Sequence, residues 1–249
     1  MRTLVPLAVA ALLLLAGCGG GAAPSTATPA PTAETPSAPG PADVAGVNDT
    51  AVDASALVEG HRAALTNRSL TLDVVAVDND TRTTLTERVE SGGRPLLVRS
   101  ASGNRSRTTY VANGTTYERL TRGNESSYRS ANRTGASAYP ASYTGSRIVW
   151  QYMSTATYRP NGTTVENGTG LLALSATAAD LNESALAAAN VTVDTFRSTA
   201  YVDDAGVVRK FTYRVEGTRD GVPFSQTLRV RVTDVGSTDV PRPDWLDRA

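Results

Sequence analysis

The strongest constraint on the fold lies in the last third of the chain. Between Val207 and Glu216 two sets of side chains alternate: Val207, Arg209, Phe211, Tyr213 and Val215 against Val208, Lys210, Thr212, Arg214 and Glu216. After Asp220-Gly221 the pattern resumes. Val222, Phe224, Leu228, Val230 and Val232 share one parity; Ser225, Thr227, Arg229, Arg231 and Thr233 share the other. A period of two sends successive side chains to opposite faces of a strand. Two such runs around Asp-Gly make a hairpin with one buried and one wet face. A chain that ends this way must build a sheet and then cover its apolar side.

The upstream sequence supplies both parts. "LTLDVVAVD" (70–78) alternates as a strand, with Leu70, Leu72, Val74 and Ala76 on one side. Asn79-Asp80 turns the chain into "TTLTERVE" (83–90), and Gly92-Gly93 turns it again into "PLLVRSA" (95–101). "RTTYVA" and "TTYERL" flank Asn113-Gly114, a type I′ hairpin signal. The segment 131–146 reads as a loop. "VTVDTFRSTAYVDD" (191–204) reads as a strand beside the final hairpin. Asn161-Gly162 and Asn167-Gly168 mark turns around "TGLLALSAT". For cover, Asp53 can cap a helix reaching Thr66, with Leu57, His61, Ala64 and Leu65 on one face. A second helix over 180–189 follows from Asp180 and Glu183 at capping-box spacing. "RIVWQYMS" (147–154) fits either a short helix capped by Ser146 or a buried strand, and periodicity does not separate the two. The fold class is α+β: a curved antiparallel sheet with helices packed on one face.

The N-terminal part obeys different rules. Arg2 precedes an apolar run from Leu4 to Ala16, thirteen residues that end at Cys18, the single cysteine. A membrane span needs about 20 residues, whereas thirteen suits the core of a secretory signal. A lone thiol in an exported chain has no intramolecular partner. Leu15-Ala16-Gly17-Cys18 resembles the lipobox of secreted lipoproteins. That resemblance implies cleavage before Cys18, a lipid on its sulfur and a membrane anchor of two chains. Residues 19–47 hold six of the thirteen prolines amid Gly, Ala, Ser and Thr. Such a segment buries too little apolar surface to offset its ordering entropy, and would span about 30 Å as a coil. The expected organisation is a signal over 1–17, a lipidated cysteine and disordered tether over 18–47, and one extracellular domain over 48–249.

All eleven asparagines precede Ser or Thr by two positions with no intervening proline: Asn48, Asn67, Asn79, Asn104, Asn113, Asn124, Asn132, Asn161, Asn167, Asn182 and Asn190. This is the N-glycosylation acceptor pattern of an exported chain, and glycan carriers must face solvent. Asn-Gly-Thr is also favourable turn chemistry.

The residues for most enzymes are missing. His61 is the only histidine and sits on the apolar helix face, so neither a zinc site nor a Ser-His-Asp triad has its parts. Asp78/Asp80 and Asp203/Asp204 fall at predicted turns, as calcium ligands or as plain turn residues. Lys210, Arg214, Arg229 and Arg231 form a basic stripe on the wet face of the last hairpin. It could meet phosphate or glycan, or be a solvated face paired with Glu216 or Asp194. With 24 basic and 24 acidic residues, no nucleic-acid partner is expected. No cofactor or metal is called for, and the expected function is non-enzymatic.

Leader, lipobox, Pro/Thr-rich tether, an amphipathic helix ahead of a meander, and the closing "VPRPDWLDRA" together resemble a family of archaeal surface lipoproteins. Their organisation is similar to that of the lipoprotein carriers LolA, LppX and LprG. The resemblance implies a half-barrel with an apolar cavity for acyl chains, attached to the outer face of the cell membrane. No ligand-binding residue transfers with it. Leu70, Leu72, Val74, Phe211, Tyr213, Phe224 and Leu228 form the apolar row, either as cavity lining or as plain core. The first case is a binder of an apolar ligand such as a lipid. The second is a structural or adhesive envelope module with a filled core.

Overall fold

The computed structural model describes residues 37–132, 143–183, 186 and 190–249. Eleven strands form one antiparallel sheet, built as two meanders. The first comprises β1 (Leu70–Asp78), β2 (Thr81–Val89), β3 (Leu96–Ser102), β4 (Arg105–Ala112), β5 (Thr115–Arg122) and β6 (Glu125–Asn132). The second comprises β7 (Arg159–Glu166), β8 (Thr169–Thr177), β9 (Val191–Val202), β10 (Val208–Arg219) and β11 (Val222–Thr233). Their order is β6-β5-β4-β3-β2-β1-β11-β10-β9-β8-β7, so the sheet is open, with β6 and β7 as its edges. Every pairing but one joins sequence neighbours. The exception sets β1 against β11, with Leu72 opposite Val232 and Val74 opposite Val230.

Tight turns drive the meanders. Asn113-Gly114, Asn167-Gly168 and Asp220-Gly221 each carry φ near +50° then +76°, the backbone that type I′ loops require. Two apparent turn or strand signals resolve differently. Asn161-Gly162 lies inside β7 as a bulge between Pro160 and Thr163, not at a turn. Arg209 is the extra residue of a bulge in β10, so it leaves the inward row in which alternation places it. Strand β6 fills 125–130, which the sequence reading leaves unassigned, and takes Ala131 and Asn132 from the expected 131–146 loop, whose residues 133–142 lie outside the described ones. Its residues are mostly exposed and polar, so no apolar alternation announces it; Gly123-Asn124 is its only signal.

Helix α1 (Ala54–Leu65) starts where expected: Asp53 Oδ1 accepts from the Ser55 and Ala56 amides at 2.9 and 3.1 Å. Leu57, His61 and Leu65 are buried beneath it. The ambiguous segment is a helix, α2 (Ser146–Met153), and its period of 3.6 buries Val149 and Met153. Ser146 is its first residue rather than its cap. Gly145 precedes it at φ +73°, where a Cβ would meet Leu72 at 3.0 Å. The predicted 180–189 helix does not start at Asp180, which ends a 3-10 turn, and Leu181 bridges to Ala156; residues 184, 185 and 187–189 lie outside the described ones. Glu183 and Leu186 are helical, but the capping box belongs to Thr177 and Asp180, one turn earlier.

Both helices serve the same face of the sheet. We call it the inner face: Leu70, Leu72 and Val74 of β1, Val89 and Leu85 of β2, Phe211, Tyr213 and Val215 of β10, and Leu228, Val230 and Val232 of β11. These join Leu57, Val149 and Met153 in one core. The chain also packs further upstream than composition suggests. Pro39, Val44 and Val47 are buried, and Ala38 lies against Gly170, so residues 37–47 belong to the folded unit and not to a disordered tether. Proline-rich composition fails here because three apolar side chains suffice to dock a short extended segment.

The outer face has its own cover. After β11 the chain crosses β3 and β4, where Val240, Trp245 and Leu246 bury against Leu97 and Tyr110. The Arg119 guanidinium lies 5.8 Å from the Trp245 ring centre, within cation–π range. Trp245→Ala should lower stability by about 3 kcal/mol, because a buried aromatic is removed and Leu97 is uncovered. Urea denaturation of W245A, L97A and the double variant checks this. Shared burial predicts a double variant less destabilised than the sum of its parts.

Candidate functional site

His61 occupies the junction of three segments. Its Nε2 donates to the Thr144 carbonyl at 2.9 Å, and its Nδ1 accepts from the Val208 amide at 3.1 Å. Only the neutral ring with the proton on Nε2 satisfies both. Burial holds its pKa down at about 4. Val208 sits at the β10 bulge, and Asp203 braces the same corner: its carboxylate accepts from the Val207 amide at 2.8 Å and pairs with Arg209 at 2.5 Å. Asp203 is thus committed to structure. Asp78 and Asp80 are exposed at the β1–β2 turn. Among the described residues no group of three or more His, Cys, Asp or Glu side chains is placed to hold a metal.

The seven residues of the apolar row do come together on the inner face. Leu70, Leu72 and Phe211 are fully buried, Val74, Tyr213 and Leu228 nearly so, and Phe224 partly. Tyr213 is wedged edge-on between Phe196 and Tyr152, with ring centres 5.2 and 4.9 Å away. Of five grooves among the described residues, only one touches this set, bordered by Phe224 beside the β10–β11 turn.

The largest of these five, among the described residues, lies elsewhere, with a volume of about 600 Å³. It runs over the ends of β3–β6 that lead into the β3–β4 and β5–β6 turns. Cross-strand pairing puts Ser100, Arg107, Leu120 and Ser127 in one row, and Thr83, Ser102, Arg105, Arg122 and Glu125 in the next. Both rows continue the inner-face parity of Leu85 and Val98. The sequence reading misses this site. In "RSRTTYVA", Tyr110 and Val111 are adjacent and both buried, so alternation alone cannot say which parity is inward. Pairing decides: Val111 faces the core and carries Arg105 and Arg107 with it, while Tyr110 goes to the tail-covered face.

Glu87 is the second group missed. It lies in the inner row between Leu72 and Val98, nearly buried, and burial pushes its carboxyl up to about 7. Nothing in "TTLTERVE" distinguishes this glutamate from a solvated one.

All eleven candidate asparagines are exposed. They lie at turns, strand ends and loops, with Asn161 at the β7 bulge, so both broad sheet faces stay clear of them. Of the basic stripe, Arg214 pairs with Glu216 at 2.6 Å and Lys210 with Glu166 at 3.5 Å. Arg229 and Arg231 are exposed on the outer face. No helix among the described residues is long and apolar enough to cross a membrane. Cys18 lies outside the described residues.

The architecture is that of an open, half-barrel-like antiparallel sheet with helices on its inner face. Residues 3–249 match DUF7537, a family of unknown function, and the chain belongs to that family. No curated protein matches it. Among solved structures it is similar to the lipoprotein LppX of Mycobacterium tuberculosis, at 11% identity and a TM-score of 0.39, over 76% of this chain and 97% of that one. LprF of Mycobacterium bovis is similar at 12% identity and a TM-score of 0.38, over 79% and 99% of the two chains. The MucA/MucB complex of Pseudomonas aeruginosa follows at 18% identity and 0.31, over 78% and 60%.

The two perturbed groups oppose each other. The fold holds His61 below its ordinary 6.5, so His61 contributes fully above about pH 6.5 and loses that contribution as pH falls toward 4. It holds Glu87 above its ordinary 4.5, so Glu87 contributes fully below about pH 4.5 and loses that contribution as pH rises through 7. Each is worth up to about 3 kcal/mol, and their slopes cancel across the overlap. Glu87→Gln should therefore raise stability by about 3 kcal/mol at pH 8 and by nothing at pH 4. Urea denaturation of wild type and E87Q across that range reads the difference. An equal effect at both ends would assign Glu87 another role.

Proposed function

We propose that this chain is a non-enzymatic surface lipoprotein, anchored to the outer face of an archaeal cell membrane through a lipid on Cys18, that binds an amphiphilic ligand on the inner face of its half-barrel. One observation carries the ligand: the groove of about 600 Å³ on the inner-face rows, within the size range of small-molecule sites. The groove is open to solvent on one side and adjoins the apolar core on the other. An acyl or isoprenoid chain would lie along Leu120 toward Leu85 and Val98. The non-enzymatic reading draws support from His61, whose two ring nitrogens are both used in holding the fold. The exposure of all eleven acceptor asparagines supports N-glycosylation and an extracellular domain. The lipobox and the thirteen-residue apolar run support the anchor.

A second reading has an observation of its own. Six of the seven residues of the apolar row are closed off at or below 7% exposure, which favours a structural or adhesive module with a filled core. Intact and native mass spectra of protein purified from its membrane separate the two. The anchor predicts a chain beginning at Cys18 with a lipid mass; an unmodified thiol removes it. The binding reading predicts a non-covalent mass that denaturation releases. Covalent lipid and sugars alone would favour the structural module.

A further inference from the structure

The groove gathers like charge on the inner-face rows. Arg105 and Arg122 stand directly opposite each other on β4 and β5, with Arg107 two residues along on the same face. Like charges opposite one another weaken an antiparallel pair. Among the described residues, no ion pair or side-chain hydrogen bond involves Arg105, Arg107 or Arg122. Two other arginines of β5 and β6 are engaged: Arg129 pairs with Glu118, and Arg119 lies over the Trp245 ring. Glu125, opposite Arg122, is the one acidic residue lining the groove, which leaves a formal excess of two positive charges in a chain of zero net charge. The remaining lining is hydroxyl-rich, with Ser100, Ser102 and Ser127 as neutral donors and Leu120 as the apolar floor.

Resting on the binding reading above, we propose that this groove is specific for an anionic headgroup, a phosphate or phosphate-like ester, held by Arg105, Arg107 and Arg122. Guanidinium groups donate in a planar fork that matches tetrahedral oxyanions, and hydroxyl donors complete such a shell. An anion would also remove the repulsion between Arg105 and Arg122. Asn104 and Asn124 lie in the two turns at the rim, and the Gly123 amide donates to the Asn104 carbonyl at 2.9 Å, so the turns are joined beside the arginines. Glycans there would flank the mouth without filling it. The ester could be a membrane lipid headgroup or a soluble phosphate, and the shared chemistry is the anion.

Isothermal titration of the full chain with decyl phosphate, decyl maltoside and inorganic phosphate tests the assignment, each below micelle formation and at low and high salt. Decyl phosphate should bind about tenfold or more tighter than decyl maltoside, and more weakly at high salt. R107Q/R122Q should abolish that preference while leaving maltoside binding unchanged; R197Q, on the outer face, should leave both unchanged. Phosphate binding as tight as decyl phosphate would identify a soluble ester as the ligand; a clear advantage for the decyl chain would identify a lipid. Equal binding of both amphiphiles, insensitive to R107Q/R122Q, overturns the anionic assignment and leaves amphiphile binding intact. If neither amphiphile binds, the amphiphile reading fails by itself. Phosphate binding lost in R107Q/R122Q would then still support an anion site, and its absence would overturn that too.

Discussion

Everything in this fold depends on the pairing of its first strand with its last. Within each meander the strands that pair are neighbours in sequence, joined by short turns except for the 178–190 connection between β8 and β9. The β1–β11 pairing is different: Leu72 and Val232 are 160 residues apart in sequence and opposite in the sheet. Closing that contact carries the largest loop entropy in the molecule. It also aligns the apolar rows of both halves into one inner face broad enough for two helices to cover. Without it, two half-sheets would each expose an apolar side.

The corner around His61 shows how that face is kept in register. One neutral ring links α1, the segment before α2 and the bulge of β10. Asp203 and Arg209 brace the same bulge from the other side. A buried polar group must be paired or it costs more than it contributes. Here the pairing consumes both ring nitrogens. The chemistry that a lone histidine could offer is spent on architecture, and an arginine cluster without ion pairs stands instead over β3–β6. The division is spatial: apolar and satisfied beneath α1 and α2, cationic and open over β3–β6.

The asparagines illustrate two requirements met by one residue type. Asn67, Asn79, Asn113, Asn167 and Asn190 all have φ between +50° and +61°, a conformation asparagine tolerates better than other side-chain-bearing residues. The same positions are exposed, because hairpin tips project from a packed sheet. A glycan acceptor and a left-handed turn therefore select the same sites, and the flat faces of the sheet are spared for other contacts.

Local order was legible in the sequence. Strand β1 and helix α1 fall where alternation and the Asp53 cap put them, and three of the hairpins follow from their Gly-containing turns. These depend on periodicity and backbone preference, which act over a few residues. What the sequence left open shares one property, dependence on partners distant in the chain. Helix or strand for 147–154 was settled by Val149 and Met153 reaching the core. Strand β6 exists because β5 offers an edge to pair with. The inward parity of β4, and so the placing of Arg105 and Arg107 in a groove, was decided by register through β3 to β1. Residues 37–47 are ordered by β8 and the core, not by their own composition. The sequence alone determined a two-faced antiparallel sheet with helical cover and eleven exposed asparagines. Only the tertiary structure decided which face the arginines share, because a period of two defines two faces and only the packing says which of them is inside.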